Sequence, residues 1–161
     1  MLTLIVVVNY STQNFYDKVI KQQLDHRTSN IISWLNSTQL NQKNIQHICQ
    51  ESSNNKTVRV TIVNKTGTVI GDSHNEVEIM DNHLNRPEII EATKAGVGFA
   101  QRYSQTLKQE LMYFAVSDTI QNENWIVRVS IPFAEYRNII SNLQYKIILF
   151  GILVSLSLIH I

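Results

Sequence analysis

The chain has 161 residues, which is enough for one domain of ordinary size. Charged residues make up 17% of it and the net charge is +1, so the composition gives no electrostatic basis for nucleic-acid binding. Average soluble proteins contain about 25% charged residues, and a deficit of this kind is typical of a chain with membrane-embedded ends. Cys49 is the only cysteine, so no disulfide can form within the chain, and we interpret it as a small buried apolar residue.

Both ends of the chain are apolar. Residues 147–161 read IILFGILVSLSLIHI, and this run favours a truncated membrane helix over a buried helix, because a core helix would carry a polar stripe. Residues 1–8 read MLTLIVVV, which fits either the end of a first membrane helix or a short buried strand. The predicted organisation is the end of a truncated first transmembrane helix (1–10), a central domain (11–135), and a linker helix that starts a second transmembrane helix (136–161).

Helical periodicity dominates the first third of the chain. A long amphipathic helix is predicted from about Thr12 to Leu35, and its apolar stripe can serve as a core face or as a dimer seam. The stripe consists of Tyr16, Ile20, Leu24, Ile31 and Leu35. Ser37 or Thr38 is predicted to cap a second helix that ends near Gln50.

A hairpin and a short helix are predicted next. Thr57–Val63 alternates and is rich in β-branched residues, which favours a strand, and Thr68–Ile70 is its expected partner. Between them Gly67 supplies the positive φ that the turn requires. Pro87 suits the first turn of a helix, where Glu88 favours the positive end of the dipole, and Gly96 is expected to end that helix.

Three further strands complete the pattern, at Phe99–Ser104, Leu111–Val116 and Trp125–Ile131. In the last of these, Arg128 and Ser130 fall on the face opposite Val127 and Val129. Residues 133–145 are predicted to be helical and to run into the terminal apolar segment. The fold class is therefore α+β, with a five-stranded antiparallel sheet, a long N-terminal helix and a helical layer.

Polar and aromatic residues in the second half of the chain are candidates for a shallow ligand pocket, in which arginines would bind an anion and tyrosines would form the walls. The candidates are Asp72, Asn82, His83, Arg86, Arg102, Tyr103, Tyr113 and Arg128. The alternative, which the spacing favours, is turn and capping chemistry, with Asn85 as a helix cap and Arg86 paired to a carboxylate. A metal site built from Asp72, His74, Asp81 and His83 is disfavoured, because their spacing matches no known metal loop. No metal or other cofactor is predicted.

The central part of the chain resembles a known family. The residues that carry the resemblance are Arg59-Val60-Thr61-Ile62, Gly67, Asp72-Ser73, Met80-Asp81-Asn82-His83, Arg86-Pro87-Glu88-Ile89, Gly96-x-Gly98, Arg102-Tyr103-Ser104 and Met112-Tyr113-x-Ala115-Val116. Together they resemble the extracytoplasmic PAS-like sensor domain of bacterial sensor histidine kinases, the phosphate-regulon type in particular. The resemblance implies a PAS-like sheet, a homodimer, and a parent protein in the bacterial inner or cytoplasmic membrane, with residues 11–135 extracytoplasmic.

The predicted function is signal input to a two-component sensor histidine kinase. No phosphoacceptor motif or ATP site occurs in these residues, so this segment is not expected to be an enzyme, and the resemblance assigns kinase activity to the full-length parent. Two alternatives remain open: the same domain on a chemoreceptor or a cyclic-dinucleotide enzyme, and a membrane-anchored interaction module without a ligand. The expected partners are the membrane, a second copy through the N-terminal helix, and a small anion or a protein, but no nucleic acid.

Overall fold

A computed structural model describes residues 2–53, 58–105 and 107–159. The chain divides into two compact units, Lys21–Phe133 and the pair of chain ends Met1–Ile20 and Ala134–Ile161. The helices and strands are α1 (Leu2–Ser37), α2 (Gln42–Glu51), β1 (Arg59–Asn64), β2 (Val69–Asp72), α3 (Pro87–Ala95), β3 (Val97–Ser104), β4 (Gln109–Ile120), β5 (Glu123–Pro132) and α4 (Phe133–Ile159). The predicted α+β class, five-stranded sheet and long N-terminal helix are confirmed. Thr57, His160 and Ile161, which belonged to predicted elements, lie outside the described residues.

The strands form one antiparallel sheet in the order β2-β1-β5-β4-β3. The turn between β1 and β2 is held by Asn64, whose side-chain oxygen accepts from the backbone N–H groups of Thr66 and Thr68 at 3.0 Å each. Gly67 has φ of 83°, as the turn prediction required. The side-chain amide of Asn82 donates to the Thr66 carbonyl at 2.8 Å, which fixes the hairpin against the following loop.

Strands β4 and β5 are longer than predicted. They pair as far as Ile120 and Glu123, and the two residues between them, Gln121 and Asn122, both have positive φ. A two-residue turn of this kind matches the twist of the flanking strands, so the ladder continues to its tip. The polar residues near this tip carry no apolar alternation, which is why the sequence pattern ended the strands too early.

One face of the sheet is an apolar core. Val60 and Ile62 of β1, with Val127 and Val129 of β5, are fully buried there. Helix α2 packs on this face at Gly71, where an added Cβ would meet the Cys49 sulfur and the Ile45 side chain. Three residues of the predicted stripe on α1 are buried in the same unit: Leu24, Ile31 and Leu35. These three positions are therefore core positions and are unavailable as a dimer seam.

Helix α3 lies against the opposite face, which we call the α3 face. Gly98 permits the contact, because an added Cβ would fall on the Glu88 carbonyl oxygen and the Ala92 nitrogen. An apolar cluster occupies one end of this face, formed by Val63, Val69, Ile89, Ala92, Ala115 and Ile126. The other end of the α3 face is polar and charged.

The predicted helix starts need correction at two places. Asn41, not Ser37 or Thr38, caps α2, and its side-chain oxygen accepts from the Asn44 N–H at 2.9 Å. Helix α3 begins at Pro87 as predicted, but Arg86 occupies the cap position without a side-chain cap hydrogen bond, so Asn85 is not the cap. Gly96 ends α3 with φ of 84°, as predicted.

Gly67 and Gly96 provide a matched pair for testing the β1–β2 turn. Both have φ near 84°, but a Cβ at Gly96 would meet nothing, whereas one at Gly67 would meet Asn82 and the Leu84 backbone. We expect Gly96→Val to lower the free energy of unfolding by about 1–3 kcal/mol through backbone strain alone. Gly67→Val should lower the free energy of unfolding further, because Asn82 and Leu84 would have to move away and lose their hydrogen bonds. Urea denaturation of both variants measures the difference, and equal losses would contradict this account of the turn.

Candidate functional site

The polar end of the α3 face collects side chains from four neighbouring strands. Strand pairing places Thr61 opposite Arg128, and Arg59 opposite Ser130. Tyr113 of β4 is paired with Ser130 on the other side. Because side chains alternate between the two faces of a sheet, these residues all project on the α3 face. Arg102 of β3 reaches the same region from the edge.

Glu88 is the central acid of this region. It lies in the first turn of α3 and is fully buried. Its Oε1 accepts from Arg102 Nη2 at 2.8 Å and from Arg128 Nη1 at 3.1 Å, so one carboxylate is shared by two guanidinium groups. Burial would raise the pKa of Glu88, but the hydrogen bond from Arg102 and the charge of Arg128 outweigh it and hold the pKa below its usual value. Glu88 is therefore ionised at neutral pH.

A second chain of hydrogen bonds continues from Arg128 across the sheet. Arg128 Nη2 donates to Thr61 Oγ1 at 3.0 Å, and this hydroxyl donates to Asp72 Oδ2 at 2.7 Å. Asp72 also forms a buried ion pair with Arg59, whose Nε lies 3.0 Å from Oδ2. Asp72 further accepts from the backbone N–H groups of His74 and Asn75, as the Asx-turn interpretation predicts. These bonds join both carboxylates and three of the arginines into one network.

The ring of Tyr113 packs against two arginines of the site. The Arg102 guanidinium carbon lies 4.0 Å from the ring centroid, and that of Arg128 lies 5.0 Å from it. Attraction between a cation and the ring face favours both positions, and more strongly in a desolvated site. The ring therefore orients the two guanidinium groups that also bind Glu88.

A small cavity of about 40 Å³ opens within this cluster. It is lined by Arg59, His83, Arg86, Arg102, Ser104, Gln105, Tyr113 and Arg128. His83 is 6% exposed, and its Nδ1 has no hydrogen-bond partner among the described residues. Burial, followed by the charges of Arg128, Arg86 and Arg59, lowers the pKa of His83 to about 3, so this imidazole is neutral.

Five of the eight predicted pocket residues line this cavity: His83, Arg86, Arg102, Tyr113 and Arg128. Asp72 does not line the cavity, but it accepts hydrogen bonds from Arg59, which does, and from Thr61. Asn82 is outside, bound to the β1–β2 turn, and Tyr103 is 49% exposed, since its side chain alternates to the other face from Arg102. The expected Arg86–carboxylate pair is absent from the described part of the chain, where the Arg86 side chain has no ion-pair partner.

Sequence analysis missed two important members of the site. The sequence pattern assigns Arg59 only to a strand. It assigns Glu88 only to the positive end of a helix dipole. Polar residues at positions 59 and 61 of an otherwise β-branched strand could have signalled a charged face, because they alternate with buried valine and isoleucine. No sequence signal pairs Glu88 with Arg128.

Two larger grooves of about 480 and 520 Å³ run along α2. They share Gln46, Gln50 and Glu76, and their charged side chains lie at the surface. Gln42 and Gln46 already donate to the Ile70 and Asp72 carbonyls of the edge strand, so this helix covers a sheet edge. The smaller cavity remains the better candidate because buried charges surround it.

Comparison with known protein families decides the identity of the fold. The sequence profile named Single Cache-like matches residues 14–132, most of the chain. The chain belongs to the Single Cache-like family. Cache domains are extracellular sensor domains of membrane receptors, so this chain carries a sensor domain. A search of curated protein sequences found no match.

Several solved structures with the same fold are chemoreceptor ligand-binding domains. The sensory domain of the Campylobacter jejuni chemoreceptor Tlp3 with isoleucine bound has a TM-score of 0.66 at 15% identity, over 86% of this chain and 60% of that one. The Pseudomonas aeruginosa amino-acid chemoreceptor PctC with GABA has a TM-score of 0.62 at 10% identity, over 83% and 60%. An extracellular ligand-binding receptor from Desulfohalobium retbaense scores 0.59 at 16% identity, over 80% and 24%. The Cache-like chain thus spans about three fifths of the chemoreceptor domains, and the phosphate-regulon kinase type remains a prediction.

Within residues 2–53, 58–105 and 107–159, no helix combines the length and apolar character needed for a complete membrane span. In the same residues, no group of three or more His, Cys, Asp and Glu side chains is arranged to hold a metal ion.

The neutral state of His83 predicts an acid-sensitive stability. An unfolded chain protonates this imidazole below pH 6.5, whereas the folded domain does so only near pH 3. The contribution of His83 is therefore fully present above pH 6.5 and is lost as the pH falls toward 3, by at most about 1.4 kcal/mol per pH unit.

Urea denaturation between pH 7 and pH 5 tests this dependence, because that range lies above the usual pKa of carboxyl groups. His83→Gln should flatten the slope of unfolding free energy against pH. His26→Gln, at an exposed position on α1, is the control and should leave it unchanged. An unaltered slope in His83→Gln would show that other groups cause the acid sensitivity.

Proposed function

We propose that residues 11–135 are the extracytoplasmic signal-input domain of a bacterial membrane-bound two-component sensor histidine kinase, and that a small anion in the cavity is its stimulus. The observation that carries the proposal is the concentration of arginine around a small cavity on the sheet of a sensor-family fold. Four guanidinium groups line it, and among the described residues two carboxylates, Asp72 and Glu88, form ion pairs with three of them. Buried charge is costly without a partner, so this site favours an anion.

The contacts around the cavity suggest how occupancy would reach the helices. Arg128 and Tyr113 lie on β5 and β4, and the hairpin that joins these strands contacts the end of α1 through Gln121. The side-chain amide of Gln121 donates to the carbonyls of Leu35 and Thr38 at 3.1 and 2.7 Å, and its backbone N–H donates to Asn36 Oδ1 at 3.2 Å. A ligand that favours one position of β4 and β5 would therefore bias the end of this helix.

Apolar surface on the chain ends supports attachment to the bacterial inner or cytoplasmic membrane. Phe150, Leu153 and Leu156 of α4 are more than half exposed, as are Val6 and Val7 of α1. Side chains of this type are stable against lipid and unfavourable against water. Residues 1–10 and 136–161 are accordingly proposed to be parts of two membrane helices.

Two kinds of parent protein are supported by different observations. The sequence resemblance carried by the segments around Asp72, Asn82 and Arg86 favours a histidine kinase. The similarity to the C. jejuni and P. aeruginosa receptor structures favours a chemoreceptor as the second candidate. A phosphoacceptor motif H-E-x-x-[TS]-P in the parent protein would establish the first, and a long signalling coiled coil without it would establish the second.

A labelling experiment tests the extracytoplasmic location. Lys65 is exposed at the β1–β2 turn, and Cys49, the only cysteine in these 161 residues, is buried. In a full-length receptor freed of all its cysteines, Cys49 included, Lys65→Cys should react with a membrane-impermeant maleimide in intact cells. Reaction only after lysis would place the domain in the cytoplasm and overturn the proposal.

The proposed homodimer uses the N-terminal helix. Since Leu24, Ile31 and Leu35 are buried in their own core, contact with a second copy is expected on the opposite, exposed side of α1. Single cysteines at Gln22, His26 and Ser29 should therefore crosslink between subunits in membranes, in the same cysteine-free background. Cysteines at Lys21 and Gln23, which are exposed on the two flanks of this line, are the controls. Crosslinking without a helical period, or none at all, would contradict the dimer.

A further inference from the structure

The size of the arginine-lined cavity restricts its ligand. A water molecule needs about 10–15 Å³ of this kind of space, so the cavity of about 40 Å³ has room for about three water-sized groups. A carboxylate or a small inorganic oxyanion has about that number of atoms. A ligand with a bulky side chain would require the walls to move.

The charge of the lining points in the same direction. Arg59 is neutralised by Asp72, while Arg102 and Arg128 share the single carboxylate of Glu88. Arg86 has no ion-pair partner among the described residues and is half-buried. Four guanidinium groups less two carboxylates leave two positive charges to be compensated.

Unused hydrogen-bond donors also face this region. Arg128 is 2% exposed, and its Nε has no partner among the described residues. The orphan Nδ1 of the buried His83 can donate in one neutral tautomer. Buried polar groups are almost always hydrogen-bonded, so two such atoms beside one cavity indicate a missing acceptor.

Among the described residues, the lining offers no free carboxylate to an ammonium group. Both carboxylates of the network are already engaged by arginines, with distances between 2.8 and 3.1 Å. The ammonium of an amino acid placed here would face guanidinium groups without a counter-ion. The receptor domains solved with isoleucine or GABA differ in this respect, because each of these two ligands carries an ammonium group.

We propose that the cavity binds a compact oxyanion that carries no ammonium group, either a carboxylate of one to three carbons or an inorganic oxyanion. The proposal rests on the proposed sensor function and specifies the ligand class of that same site. Arg86 closes the ion pairing at the mouth, and Arg128 and His83 supply the inner hydrogen bonds. The anion compensates the positive charge that Asp72 and Glu88 leave unneutralised.

Isothermal titration of the full chain in detergent, at constant ionic strength, tests the ligand class. Acetate, nitrate, sulfate and phosphate are the separate arms, and glycine is the matched probe because it adds an ammonium group to acetate. At least one oxyanion should bind saturably, and glycine should bind at least about tenfold more weakly than acetate. Binding of glycine as tight as that of acetate, or no oxyanion binding up to about 100 mM, would overturn the inference.

Variants then locate the binding. Arg86→Gln should weaken oxyanion binding by about tenfold, the usual effect of losing one charge-assisted hydrogen bond. Lys65→Gln removes the same charge from an exposed turn and should change nothing. Arg102→Gln is the second site variant, and circular dichroism establishes that each variant is folded. Unchanged affinity in both site variants would place the anion elsewhere, whereas the maleimide labelling of the receptor reports on the sensor proposal independently.

Discussion

The Glu88 carboxylate, shared by Arg102 and Arg128, is the interaction on which the rest of the site depends. It joins α3 to β3 and β5 from a fully buried position. Removing one partner from a buried ion pair typically costs about 3–5 kcal/mol, because the remaining charge has no solvent. Here the loss of one carboxylate would leave two guanidinium groups uncompensated beneath the same helix. The ion pairs of Glu88 therefore order the polar end of the α3 face.

Close packing of α3 on the sheet makes this arrangement stiff. Gly98 allows the helix backbone to lie directly on β3, and Tyr113 holds the two guanidinium groups from the side. The apolar cluster at the other end of the same face fixes α3 in position. An anion entering the cavity would therefore change the positions of arginine side chains and strands more easily than that of the helix. The β4–β5 hairpin, which reaches α1 through Gln121, is the natural route for such a change.

Local chemistry made much of the fold predictable. Gly67 in its turn, Pro87 at a helix start, Gly96 at a helix end and the alternation of β5 each depend on a few adjacent residues. The predicted ends of the elements were less accurate. Asn41 replaced Ser37 and Thr38 as the cap of α2, and the turn at Gln121 extended two strands through a polar stretch. Tyr103 and Asn82, candidates from the predicted loop and its facing strand, do not line the cavity, because Tyr103 alternates to the other face and Asn82 binds the β1–β2 turn.

The sequence by itself determined the five strands, the helix positions and the type of residue that would form a site. Only the tertiary structure decided which charges meet. Arg128 is 40 residues from Glu88 and 67 from Thr61, and strand register brings all three together. Register depends on the whole sheet, because a shift of one residue would move Arg128 to the apolar face. The sequence could therefore name Arg102 and Arg128 as anion-binding candidates, but the shared carboxylate and the positive charge left beside the cavity follow from the packed sheet.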